Sequence, residues 1–384
     1  MQSPPLRPSA LVLVLGLLAV ASISRAGAQQ TPAAPSQQAR TGEQIFLAAC
    51  AACHAPDGKG QPAAVLGFEP PPTFPDFTEC AAASPENDYI WNAVVHRGGR
   101  VRALSHIMPA FGDALSDAEI QRVVDYLHAL CAEPGWPRGN LNYPRAFVTE
   151  KAYPENEVVF TVNAVTRRSK SVENRIDYEH RIGRRAQYEL GVPFLLQQSE
   201  DGQSWSRGLG DVNAAIKYAF YDNNATGTIA AAGGEVTLPT GKESRGLGGG
   251  VTIFEAFAMV DQALPGDGFV QLHAGYERPA DHDLAPNAVY WRTAIGKTFA
   301  QDRWGRTWSP MVEILGDKDL EDGATAAWDV VPQMQVSLST FQHVLMNVGY
   351  QIPVNERDAR SGIFRIYFLW DWFDGPLTSM WRAH

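Results

Sequence analysis

The run Ile363-Phe364-Arg365-Ile366-Tyr367-Phe368-Leu369-Trp370-Asp371-Trp372-Phe373 decides the reading of the C-terminal half of the chain. Successive side chains of a strand point to opposite faces. Phe364, Ile366, Phe368, Trp370 and Trp372 therefore share one face, and Arg365, Tyr367, Leu369, Asp371 and Phe373 the other. The first face is wholly apolar, the second mixed and charged. The pattern recurs upstream, where Val212, Ala214, Ile216, Tyr218 and Phe220 stand against Asp211, Asn213, Lys217 and Tyr221. Val344, Met346, Val348, Tyr350 and Ile352 likewise share a face. A water-soluble sandwich would bury such a face. A membrane barrel turns it outward to lipid and keeps the polar face inside.

The same alternation predicts about twelve strands, at 157–166, 174–182, 185–196, 210–221, 226–239, 247–260, 268–277, 287–299, 304–316, 326–338, 341–353 and 362–373. Short turns such as Gly183-Arg184, 221–226 and Ser339-Thr340 alternate with longer polar loops at 197–209, 278–286, 317–325 and 355–361. Short periplasmic turns opposite long outer loops are the habit of outer-membrane barrels. The expected fold of 156–373 is thus an all-β antiparallel transmembrane barrel, with a C-terminal tail at 374–384. Parity places Arg175, Asp177, Glu179, Arg181, Glu189, Lys217, Glu235, Glu255, Arg292, Glu313, Arg365 and Asp371 in the lumen. Their mixed signs favour pairing across the interior over a one-sign ion filter. A packed, salt-bridged lumen and an open pore stand as alternatives at this strand number.

The N-terminal part is different in kind. The 384 residues leave room for two or three domains. With 19% charged and 45% hydrophobic residues, the chain fits neither a disordered polymer nor a set of helical membrane spans. A net charge of −10 without clustered Lys and Arg disfavours nucleic acid as a partner. Arg7, the apolar stretch 11–20 and Ala26-Gly27-Ala28 mark 1–28 as a signal peptide. The apolar stretch is about half the ~20 residues that a membrane helix needs.

Cys50-Ala51-Ala52-Cys53-His54 then has the haem c attachment pattern. Two thiols at this spacing reach the two vinyl groups of one porphyrin, and the adjoining His can ligate its iron. A thioredoxin-like pair would give His54 no task, and a zinc site would want a second ligand pair. Around the motif the period is helical. Thr41 caps a helix through Gln44, Ile45, Phe46 and Leu47, and a second helix fits 86–96 and stops at Gly98-Gly99. A third opens on the capping box Ser116-Asp117-Ala118-Glu119 and carries Ile120, Val123, Val124, Leu127 and Leu130.

Met108-Pro109-Ala110-Phe111 precedes that box and resembles the distal methionine loop of class I cytochromes c. The resemblance spans 40–131 and includes Gly42, Phe46 and Tyr126. It implies an all-α class I cytochrome c domain with one covalent haem c, held by Cys50 and Cys53 and ligated by His54 and Met108. His96 and His106 are rival ligands. Thioether ligation raises the reduction potential and closes the iron to small molecules, so electron transfer is expected rather than turnover of a substrate. Cys80 and Cys131 remain as an even pair in an exported chain, either a disulfide or two separate thiols. A Pro- and Gly-rich linker is expected over 132–155, carrying Pro134, Gly135, Pro137, Gly139, Pro144 and Pro154.

The barrel region resembles the family named for the MetA pathway of phenol degradation, outer-membrane proteins labelled as transporters. The resemblance rests on 174–181, Gly208-Leu209-Gly210-Asp211-Val212 with Lys217-Tyr218, Leu238-Pro239-Thr240-Gly241, Glu313-Ile314-Leu315-Gly316 and Gln351-Ile352-Pro353. The expectation is an outer-membrane-anchored monohaem cytochrome with its haem domain in the periplasm. Its expected partners are a periplasmic redox protein and outer-membrane lipid, not nucleic acid. The alternative is a barrel transporter or porin that uses the cytochrome as redox sensor or gate.

Overall fold

The computed structural model describes residues 39–371, except 72–73, 103, 132, 134, 166–169, 200–201 and 339–342. The leader and tail expected at 1–28 and 374–384, and Trp372 and Phe373, lie outside the described residues.

Among the described residues six α-helices come first: α1 (Gly42–Ala49), α2 (Ala51–His54), α3 (Ala63–Leu66), α4 (Cys80–Ala83), α5 (Asp88–Arg97) and α6 (Asp117–Leu130). Thr41 and Gln44 form a reciprocal capping box at the start of α1. The Asn87 side chain caps α5 by accepting from the Ile90 N–H. At α6 the Glu119 carboxylate accepts from both the backbone N–H and the hydroxyl of Ser116. Ile45 and Phe46 of α1 pack on Ile120, Val123, Val124 and Leu127 of α6, all of them buried. The two helices touch at Gly42, where a Cβ would lie 1.9 Å from the Arg122 carbonyl oxygen. The short helices α2, α3 and α4 have too few residues for a periodic signal.

Fourteen strands of described residues come after them: β1 (Glu157–Val165), β2 (Ser171–Ile182), β3 (Ala186–Gln198), β4 (Trp205–Leu209), β5 (Val212–Asn223), β6 (Thr228–Leu238), β7 (Ile253–Leu264), β8 (Gly268–Pro279), β9 (Ala288–Lys297), β10 (Phe299–Ala300), β11 (Thr307–Asp319), β12 (Ala327–Ser337), β13 (Val344–Pro353) and β14 (Ile363–Asp371). They make one antiparallel sheet. Apart from the short ribbons β4 and β10, it is a closed barrel of twelve strands, sealed by β14 on β1 and by β9 on β11. Two expectations shift. The strand expected at 247–260 begins at Ile253, because Asp211 accepts from the Gly241 and Gly249 N–H groups and holds 239–252 as a loop. The loop expected at 197–209 contains β4, which pairs with the end of β3.

The outer face is apolar. Phe160, Ile176, Phe194, Phe220, Ile314 and Phe368 are exposed there, and Trp370 is 51% exposed while the inward-facing Tyr367 is 1%. The inner face buries Asp177, Glu179, Arg181, Glu189, Lys217 and Glu313. This inversion of an ordinary globular protein is stable only where hydrocarbon, not water, surrounds the wall.

The connector corrects the reading of an extended linker. Leu141, Ala146, Ala152 and Tyr153 are almost wholly buried, packed with Tyr143 against Ile229, Phe257, Met259, Phe269 and Met311 of the inner wall. Pro and Gly here shape a chain that folds into the lumen. Composition could not show this, since a plug and a free linker both need an irregular backbone.

A Gly42→Val substitution should destabilise the helical unit by about 1–3 kcal/mol through overpacking at the α1–α6 crossing. Denaturant unfolding followed in the helical CD band, with the barrel signal as internal reference, measures it.

Candidate functional site

α1 and α2, the 55–79 segment, α5 and the 98–111 loop surround a cavity of about 350 Å³. Cys50, Cys53, His54 and Met108 all line it, among Phe46, Phe74, Trp91 and Leu127. The rival ligands do not. His106 is exposed, and His96 packs on Trp304 with ring centroids 5.7 Å apart.

His54 is held flat against Phe74, with centroids 5.0 Å apart and planes 6° apart. Its Nδ1 is buried and has no hydrogen-bond partner among the described residues. Burial pushes its pKa down to about 4, so the ring is neutral at pH 7, the form that ligates a metal. Burial, with Cys53 beside it, pushes the Cys50 thiol up to about 11. A dithiol redox pair works through a lowered thiol pKa, and Cys50 is shifted the other way. An apolar cavity with two thiols and an orphaned imidazole nitrogen fits a haem c.

The Met108 loop is positioned by two glycines whose sequence signal is only that of a helix stop. Gly98 has φ 78°, and a Cβ there would sit 2.8 Å from the Met108 carbonyl oxygen. The Gly99 N–H donates to that same oxygen at 3.2 Å. Phe111 and Gly112 then donate to the Val95 and His96 carbonyls, tying the loop to the end of α5. Cys80 and Cys131 are bonded, with Cα atoms 5.1 Å apart. The bond fastens the segment bearing Phe74 and Phe77 to the end of α6.

Two charged groups frame the cavity on the side of the barrel. Burial pushes the Glu86 carboxyl up to about 7 against the pull of Arg102. Burial also lowers the Arg102 pKa, with Tyr89 and Glu86 acting the other way. His343, which precedes β13, lines the cavity and lies 3.9 Å from Glu86. Neither Arg102 nor His343 carries a motif that sequence reading could find.

The lumen is the second region of interest. The Glu313 carboxylate accepts from the Val148 and Thr149 N–H groups, both at 2.9 Å. Asp261 accepts from the Ala152 N–H at 2.8 Å, Gln187 accepts from the Glu155 N–H at 2.7 Å, and Lys217 donates to the Lys151 carbonyl at 2.9 Å. Arg145 bridges Glu157 and Glu179, and Lys151 pairs with Glu155 and Glu157. Glu155, Glu157 and Glu179 are close enough to hold a metal ion, but Arg145 and Lys151 already pair with all three.

Residues 37–127 match the family described as cytochrome c oxidase, cbb3-type, subunit III, which implies a haem cofactor for this segment. No curated protein sequence matches the chain. Among solved structures the barrel is similar to the NanC porin, with 12% identity, 56% of this chain and 98% of that one covered, and a TM-score of 0.39. It is also similar to the KdgM porin, at 10% identity, 56% and 99% coverage and a TM-score of 0.35. A third is the outer membrane phospholipase A from Escherichia coli, at 8% identity, 58% and 94% coverage and a TM-score of 0.35. Likeness at this level concerns the fold alone.

Asp88 joins α5, α6 and the connector: it pairs with Arg138 at 2.6 Å, lies 3.2 Å from His128 and accepts from Gln121. Burial opposes its ionisation, but His128, Arg138 and Asn140 outweigh it and hold its carboxyl well below the usual range. A depressed folded pKa stabilises the fold above the unfolded value of about 3.9 and loses that contribution as pH falls below it. Asp88→Asn should therefore be less stable than wild type at pH 7, with the gap closing below about pH 4. Unfolding of the helical unit measured from pH 7 to 2 checks it.

Proposed function

We propose that this chain is an outer-membrane-anchored monohaem c-type cytochrome that passes single electrons at the periplasmic face. The observation that carries this reading is the one cavity that brings Cys50, Cys53, His54 and Met108 together. In it the two cysteines would hold the haem by thioether bonds, and His54 and Met108 would ligate its iron. The haem supplies the one-electron couple. The chain's own residues exclude water, orient the imidazole through Phe74 and bring the thioether in through Gly98 and Gly99.

The barrel supports both the membrane and the side of it. The apolar outer wall calls for lipid, and the helical unit meets the barrel at its short turns, through 301–306 and His343. Short turns lie on the periplasmic side in outer-membrane barrels, which favours a haem domain in the periplasm beside a soluble redox partner. A single haem does not span an apolar band ~25 Å tall, so donor and acceptor are both reached from one side. The porin reading finds less support, because the connector fills the lumen with hydrogen bonds and ion pairs to the wall.

Two outcomes test this. Outer-membrane fractions should contain the protein with the spectrum of low-spin haem c, and carbon monoxide should bind the ferrous Met108→Ala variant but not the ferrous wild type. Wild type that binds carbon monoxide at once would overturn the closed, electron-transfer assignment. In planar bilayers the wild type should show no steady conductance, whereas deletion of residues 144–153 should produce discrete open channels. Steady channels in the wild type would favour the porin.

A further inference from the structure

The charged lining of the cavity is uneven. Among its described residues Asp76, Glu79 and Glu86 are acidic, and Arg102 is the one Lys or Arg. Haem is a flat apolar ring with two carboxylates on one edge, and burying a carboxylate without a counter-charge is strongly unfavourable. The carboxylate edge therefore belongs at Arg102.

The placement of Arg102 is not set by the helical unit alone. It is 3% exposed, at the end of the 3-10 turn Gly99–Arg102. Its Nη1 donates to the Trp304 carbonyl oxygen at 2.7 Å. Its guanidinium lies 5.0 Å from the centroid of the Tyr89 ring, and the Tyr89 hydroxyl donates to the Gly305 carbonyl at 2.9 Å. Trp304 and Gly305 belong to the barrel turn that leads into β11. Trp304 is 6% exposed, wedged between Tyr89 at 5.5 Å and His96 at 5.7 Å. Arg303, next to it, pairs with Asp117 at the start of α6 at 2.6 Å. The Trp304 ring lies at a tilt against Tyr89 and His96 of α5, with the Arg303 guanidinium over it.

We propose that Arg102 receives the haem carboxylates and that the barrel turn 301–306 seats it for that task, so the barrel completes the haem site. The inference rests on the haem reading above. A planar guanidinium can pair with a carboxylate through two parallel N–H bonds, which a lysine cannot reproduce. A fixed cation beside the haem favours the state with one more electron and so raises the reduction potential.

Redox titration of the full-length, haem-loaded protein in detergent tests this. The alkaline pyridine spectrum of the wild type comes first: absence of haem c there sinks the underlying reading, whereas the variant titrations concern Arg102 alone. The Arg102→Gln midpoint should lie below wild type. Arg102→Lys should give a smaller drop and shifted haem carboxylate bands in the resonance Raman spectrum. Trp304→Ala, which keeps the Arg102 side chain but removes the ring that wedges the turn against α5, should let Arg102 shift and so also lower the midpoint. Loss of haem from Arg102→Gln with retention in Arg102→Lys would support the need for a cation. Wild-type midpoints and carboxylate bands in both Arg102 variants would overturn the proposal, and a wild-type midpoint in Trp304→Ala would remove the barrel's part in it.

Discussion

The contact between Glu313 and the paired N–H groups of Val148 and Thr149 shows what the rest of the structure depends on. A closed barrel satisfies its own backbone through its strand pairings, but a chain that enters the lumen brings a new set of donors and acceptors with it. Each must find a partner on the wall, since an unmade buried hydrogen bond costs about 1–3 kcal/mol. Inward side chains of β11, β7, β3 and β5 supply them in turn: Glu313, Asp261, Gln187 and Lys217. The interior polarity of the wall is thus matched to one particular insert.

The same matching explains the mixed charges of the lumen. An isolated buried carboxylate is costly, and a buried pair holds only when its geometry is completed by hydrogen bonds. Arg145 and Lys151 both come from the connector and meet Glu157 and Glu179 on the strands and Glu155 at the connector's own end. Removal of either cation would leave three carboxylates to share the one that remains. The apolar part of the insert has its own complement in Ile229, Phe257, Met259 and Phe269, residues that a water-filled pore would not retain on its inner surface.

Much of the barrel was legible because alternation is a local signal that every strand repeats. Phe364, Phe368 and Trp370 point out and Tyr367 and Leu369 point in, as parity alone dictates. Helices α1 and α6 were legible for the same reason, through caps and periodic apolar residues. The connector was not, because Leu141, Tyr143 and Tyr153 carry no period, and their burial depends on a wall formed by residues far away in sequence. In the cavity the CxxCH motif and Met108 declare themselves, whereas Gly98, Arg102 and His343 matter through contacts across the fold. Arg102 and Trp304 are 202 residues apart in sequence yet share a hydrogen bond, and no spacing rule reports such a pair.

The connector and the turn 301–306 together make the arrangement of the two parts specific. A cytochrome tethered by a free linker would sample many orientations at the membrane, and its exposed edge would meet partners from all sides. Here Arg138 and Asn140 hold the start of the connector to Asp88, its middle is fixed in the lumen, and Trp304 is buried against α5. Three separate attachments leave the helical unit one orientation on the barrel. Electron transfer falls steeply with distance, so a fixed orientation decides which surface a partner must approach. On the proposed reading, the barrel would then do more than retain the cytochrome at the membrane: it would select the face that the haem presents.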